Sequence, residues 1–110
     1  MTDCIFCKIA NGEFNTDFIY EDDNVVVFKD INPVAPVHLL AVPKKHIESL
    51  NGLNDKELIT DLFFAVKQAC KKLNIKEFRT VINTGKSAGQ EVFHLHIHII
   101  SGRPLNWPPG

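Results

Sequence analysis

The sequence predicts an α+β domain: about five short antiparallel strands in a meander, one long helix, and a short N-terminal helix. Three stretches carry that prediction. His94-Leu95-His96-Ile97-His98-Ile99-Ile100 alternates imidazoles with large aliphatics, and a strand is the geometry that puts residues i, i+2 and i+4 on one face. The segment from about Asp55 to Leu73 has the apolar spacing of a helix. Val25 to Lys29 is a β-branched run behind the turn Asp22-Asp23-Asn24, and pairs as a hairpin with Phe18 to Glu21.

Taken in order, Ile5 to Asn11 forms a short helical turn, with Phe6 and Ile9 three apart on one side, and Asn11-Gly12 breaks it. The hairpin follows, then a break from Asp30 to Pro36. His38 to Val42 is an apolar strand ended by Pro43. In the long helix Asn54 is the expected N-cap, with Asp55 and Glu57 at the start and Lys71 and Lys72 at the end, as the macrodipole favours. Leu58, Leu62, Val66, Ala69 and Leu73 form its stripe, flanked by Ile59, Phe63 and Cys70, so Cys70 is expected as a buried thiol. Phe64 falls on the opposite side, as a lone exposed aromatic or part of a subunit interface. Phe78 to Asn83 is a further strand, and Thr84 to Gln90, with Gly85 and Gly89, a loop feeding the histidine strand. The tail from Gly102, with three prolines around Trp107, is extended.

A chain of 110 residues suits one domain, spanning 1–110. Hydrophobic residues are 45%, charged residues 23%, and the net charge is −1, a balance that offers no polyanion-binding surface and argues against nucleic acid as a partner. The apolar runs are too short to span a bilayer, and no secretory signal is visible, so no membrane association and a cytoplasmic setting are expected. There the three cysteines read as thiols or metal ligands rather than disulfides.

Same-face neighbours on a strand lie roughly 6.5–7 Å apart, so His94 and His98 would be about 13 Å apart. Zinc takes nitrogen ligands at about 2.0–2.1 Å. The three histidines therefore divide labour rather than share one ion. Gly89 allows close backbone approach, and successive loop amides form an anion-binding concavity suited to a single phosphate. Gly85-Lys86-Ser87 lacks the upstream glycine of a P-loop. Cys4-x-x-Cys7 is a metal pair, a redox pair or a coincidence, and no thioredoxin-like context supports the redox reading. Cys4, Cys7, His46 and His94 would make a chemically complete zinc site; two thiols without metal is the alternative.

The His-x-His-x-His-x-x run resembles the defining motif of the histidine triad (HIT) family. Further matches are similar to its Hint branch: Ile5-Phe6-Cys7-Lys8-Ile9, Phe28-Lys29-Asp30-Ile31-Asn32-Pro33, Ala35-Pro36-Val37-His38, Val42-Pro43-Lys44-Lys45-His46, Gly89-Gln90-Glu91-Val92-Phe93-His94 and Trp107-Pro108-Pro109-Gly110. They cover nearly the whole chain, in order. The resemblance implies a HIT-like fold and a homodimer whose two sheets join. It implies a purine nucleoside phosphoramidase that hydrolyses the P–N bond of AMP-amine conjugates. His96 would be the nucleophile, forming a nucleotidyl-histidine. His98 would contact the phosphate and assist the leaving group, and His38 would support the array. Asp30 would hold the ribose, and Phe6, Ile9, Phe28 and Ile31 would enclose the purine. Asn83, Gly89, Gln90 and Glu91 would line the phosphate site, and Trp107 would cap a site, its own or the dimer mate's. Cys4, Cys7, His46 and His94 resemble the structural zinc site of some relatives, and catalysis needs no metal. Glu91 departs from the Ser of eukaryotic members and is common in bacterial ones. An ionised carboxylate cannot donate to phosphate.

Two other functions compete: hydrolysis of a dinucleoside polyphosphate, and a non-enzymatic nucleotide-binding regulatory dimer.

Overall fold

Apolar alternation divides the sheet into two faces, and both are covered. The computed structural model describes residues 3–110. Residues 1 and 2, which belong to the reading of the N-terminus, lie outside the described residues. The strands are β1 (Tyr20–Glu21), β2 (Val25–Lys29), β3 (Val37–Pro43), β4 (Arg79–Val81) and β5 (Ile97–Ser101), and the helices are α1 (Ile5–Ala10) and α2 (Lys56–Lys72). All strand pairs are antiparallel, in the order β1-β2-β3-β5-β4, so only β1-β2-β3 follows the expected meander: the chain passes through α2 to the edge strand β4 and returns to set β5 beside β3.

On one face Val25, Val27, Leu39, Ala41, Leu95, Ile97 and Ile99 pack against Leu58, Leu62, Ala65, Val66, Ala69 and Cys70 of α2. On the other, Val26, Phe28, Leu40 and Val42 pack against Phe6 and Ala10 of α1. Two covered faces explain why β2 and β3 are nearly continuous apolar runs. The register sets His38 opposite Ile100 and Leu40 opposite His98, which leaves the imidazoles on the α1 face.

The helix α2 is capped by Asp55, one residue beyond the expected Asn54. Its Oδ1 accepts from the N–H groups of Glu57 at 2.9 Å and Leu58 at 3.3 Å, and a carboxylate suits the positive helix end better than an amide. At the other end Ile75 N–H donates to Cys70 O and Asn74 N–H to Lys71 O, with Asn74 at φ 56°: a Schellman cap. Leu73 is thus the C-cap, 40% exposed, and does not extend the buried stripe. Cys70 is buried and Phe64 exposed as expected, whereas Ile59 and Phe63, expected to flank the stripe, are exposed.

The hydrogen-bonded ladder of β5 begins at Ile97, three residues later than the alternation suggests. Continuing the register would set Leu95 opposite Pro43, which has no N–H to give. Leu95 N–H donates instead to Ile47 O at 2.7 Å. The segment 94–96 stays alternating, with Leu95 in the core, but it is tied to the loop after β3.

Candidate active site and metal-ligand cluster

The cavity on the α1 face holds about 410 Å³. Phe6, Ile9, Phe28 and Ile31 form its apolar wall, with Asp30 beside them and His38, His96 and His98 across the floor. Asn83, Gly89 and Glu91 close the end nearest the loop. Gly89 has φ 102°, a left-handed value that a side chain disfavours. The ring of Phe6 meets Phe28 at 5.8 Å and His96 at 5.1 Å, both edge-on.

Hydrogen bonds fix the state of each imidazole. Nδ1 of His96 lies 2.7 Å from the His94 carbonyl, so Nδ1 carries the proton and Nε2 keeps its lone pair. Val34 N–H donates to His38 Nδ1 at 3.1 Å, which puts the proton of neutral His38 on Nε2. That Nε2–H faces His98 Nδ1 at 2.9 Å and Asp30 Oδ2 at 3.4 Å. His98 Nδ1 therefore accepts, and neutral His98 carries its proton on Nε2. Burial, then the neighbouring His96 and His38, pushes His98 down to about 4, so it is neutral at pH 7. The rings of His96 and His98 are 4.9 Å apart, closer than ideal strand spacing predicts. The result is one bare nitrogen and one N–H on adjacent rings.

Asp30, His38 and His98 also lie close enough for a shared cation. The tautomers argue against it: ligation through His38 Nε2 would move a proton to Nδ1, against the Val34 N–H.

Behind α1 lies the second constellation. Cys4 Sγ is 3.2 Å from His94 Nδ1, and Cys7 Sγ is 3.3 Å from His46 Nδ1 and 3.5 Å from His94 Nδ1. All four ligand atoms fall within 4.8 Å of one another. A tetrahedral zinc would separate S and N ligands by about 3.5 Å. His94 Nε2–H donates to Pro43 O at 2.7 Å, which leaves Nδ1 free to ligate and orients the ring. Burial, then Cys4 alongside, raises the Cys7 thiol, and a cation there would supply the charge that a thiolate lacks. These residues can hold a metal ion.

Two residues expected at the phosphate end or as a cap do not line the cavity. Gln90 is buried beneath the loop: Oε1 accepts from Gly85 N–H at 2.9 Å, and Nε2 donates to Glu48 O at 2.7 Å and Val92 O at 3.1 Å. It staples the glycine loop to the segment carrying His46. Trp107 is 82% exposed in the tail and does not line the cavity of its own chain. Conversely, Val34 and Val92 line the cavity and went unnoticed in the sequence. Val34 had a usable signal, lying four residues before a histidine whose second nitrogen needs a donor.

A family profile described as "Scavenger mRNA decapping enzyme C-term binding" matches residues 3–105. Protein HitA of Neisseria gonorrhoeae is 48% identical over 108 residues, covering 96% of this chain and 100% of its own. An uncharacterized HIT-like protein of Synechocystis sp. is 47% identical over 111 residues, covering 98% and 97%. The chain belongs to the histidine triad family. Among solved HIT structures, a HIT family hydrolase from Legionella pneumophila is similar with a TM-score of 0.91 at 43% identity, covering 98% of this chain and 100% of that one. A histidine triad protein from Clostridium difficile gives 0.90 at 45% identity, covering 96% of each. The five-stranded antiparallel sheet with one long and one short helix is thus the HIT-like fold. No helix among the described residues is long and apolar enough to cross a membrane.

Proposed function

We propose that this HIT protein is a nucleotide hydrolase of the Hint type, cleaving the P–N bond of purine nucleoside phosphoramidates. The observation that carries the reading is the pairing of a bare His96 Nε2 with a protonated His98 Nε2 on the floor of one cavity. The cavity's chemistry supports the substrate class: an apolar wall for a base, a carboxylate for ribose hydroxyls, and a glycine loop for one phosphate.

The reaction runs in two displacements. His96 Nε2 attacks phosphorus, a new P–N bond forms, and the bond to the leaving amine breaks. The anionic phosphoryl group favours the doubly protonated form of His98, which draws its second proton from solvent and so becomes the acid that the amine needs. The amine leaves with that proton. Neutral His98 then takes a proton from water, whose oxygen attacks phosphorus and releases His96 and the nucleoside monophosphate. His38 Nε2–H holds neutral His98 in register before the substrate binds, while the loop amides and the His98 N–H meet charge on the phosphoryl oxygens.

The cluster of Cys4, Cys7, His46 and His94 is a structural zinc site in this account, remote from the transferred group. The chain acts as a homodimer. Exposed Ile59, Phe63 and Phe64 on α2 and the edge strand β4 support that reading, as does a Trp107 that stands clear of its own cavity and would cap the partner's.

A fluorogenic AMP-amine conjugate and a diadenosine polyphosphate, assayed in parallel, test the function. Higher kcat/KM on the conjugate is expected. Preference for the polyphosphate, or no P–N cleavage at all, would overturn it.

A further inference from the structure

The helix α1 separates the metal-ligand cluster from the cavity and serves both. Its six residues are too few to be stable alone. Successive residues turn by about 100°, so Cys4 and Cys7 look to one side and Ile5, Phe6 and Ile9 to the other. The first pair meets His94 and His46; the second set lines the cavity. Phe6 is edge-on to His94 at 6.0 Å and to His96 at 5.1 Å, touching both constellations. Residues 11–15, which follow the helix, are all exposed and offer α1 no further anchor. Its placement therefore rests on Phe6, Cys7, Ile9 and Ala10 packed below it and on the cysteine–histidine contacts at its N-terminus.

We propose that Cys4 and Cys7 are positioning residues for the purine base: metal held by their cluster fixes α1, α1 is the wall against which the base rests, and metal and nucleotide binding strengthen each other. The inference rests on the nucleotide and zinc readings above. Each ligand needs α1 docked, so whichever binds first relieves the other of that ordering, and the effect is reciprocal. The coupling runs through the base wall, so a ligand without a base does not share it.

The test uses zinc-loaded protein and follows the rate at which a chromophoric chelator withdraws zinc. Saturating AMP slows withdrawal about fivefold or more, the lower range of typical couplings. Saturating ribose 5-phosphate leaves the rate essentially unchanged. Calorimetry shows AMP binding weakened by the same factor in metal-stripped protein, with ribose 5-phosphate unaffected. Ile9→Ala, which trims the wall without removing a cluster residue, reduces the protection by AMP when each rate is taken relative to the variant's own unliganded withdrawal rate. A purely structural metal site would not give that combination. AMP that binds zinc-loaded protein without slowing withdrawal overturns the coupling alone. Equal protection by ribose 5-phosphate overturns the route through α1. Protein that takes up no zinc overturns the metal premise, and zinc-loaded protein that fails to bind AMP overturns the nucleotide reading; the coupling falls with either.

Discussion

The main-chain oxygen of His94 lies 2.7 Å from Nδ1 of His96, two residues further on. Both rings lie on the α1 face, each edge-on to Phe6, but they belong to different constellations. The ring of His94 belongs to the cysteine cluster, and its carbonyl holds the proton that keeps His96 Nε2 bare. Division of labour among the three histidines is thus written into the backbone.

Replacing His94 should damage the protein differently from replacing His96. His94 is fully buried and bonded at both ring nitrogens. His94→Ala leaves a cavity and an unpaired Pro43 carbonyl, and costs about 3 kcal/mol or more. It also lowers zinc content. His96→Ala keeps the zinc. Metal analysis and urea unfolding of both variants check this; equal loss of zinc in the two would contradict it.

Gln90 is expected to matter for shape, not contact. Gln90→Ala strands the buried partners of its amide and costs about 1–3 kcal/mol. The glycine loop loosens and KM rises more than kcat falls. Steady-state kinetics beside urea unfolding separates the two effects. An unchanged KM would count against the staple.

Acid should destabilise the fold in a defined window. The pKa of His98 is about 4 in the folded chain, against about 6.5 unfolded. Between those values the unfolded state binds more protons, so stability falls as pH drops from about 6.5 to about 4. The shift on His94, also downward and caused by burial, acts with the same sign. His98→Asn removes one titrating group while still accepting from His38. Its stability should fall less steeply over that range, as read by urea midpoints at several pH values.

Dimer formation through α2 and β4 would make the exposed aromatic pair its anchor. Phe63→Glu places a charge in that face and should weaken the dimer about a hundredfold, seen by sedimentation at micromolar concentration. A wild-type chain that sediments as a monomer would remove the partner from the account.

Much of this site is legible in the sequence, because alternation and side-chain chemistry are local. The core-facing set Leu95, Ile97 and Ile99 and the four cluster residues fall where their types and spacing put them. Gln90 is different. Its neighbours in sequence suggest a phosphate contact, yet its partners Glu48 and Gly85 are brought to it by the fold. Tautomers are equally hidden, since Val34 N–H and the His94 carbonyl assign them. The late start of β5 depends on a proline in another strand, and the cap at Asp55 on which of two neighbouring side chains the backbone turns inward.

The central claim is that His96 becomes covalently bonded to the nucleotide. Rapid mixing with an AMP-amine conjugate, a denaturing quench at alkaline pH and peptide mass spectrometry test it directly. The account predicts a nucleoside-monophosphate adduct on His96 that forms within one turnover, decays as AMP appears, and is absent from His96→Ala. Full turnover by His96→Ala, or an adduct on His98 instead, would contradict it.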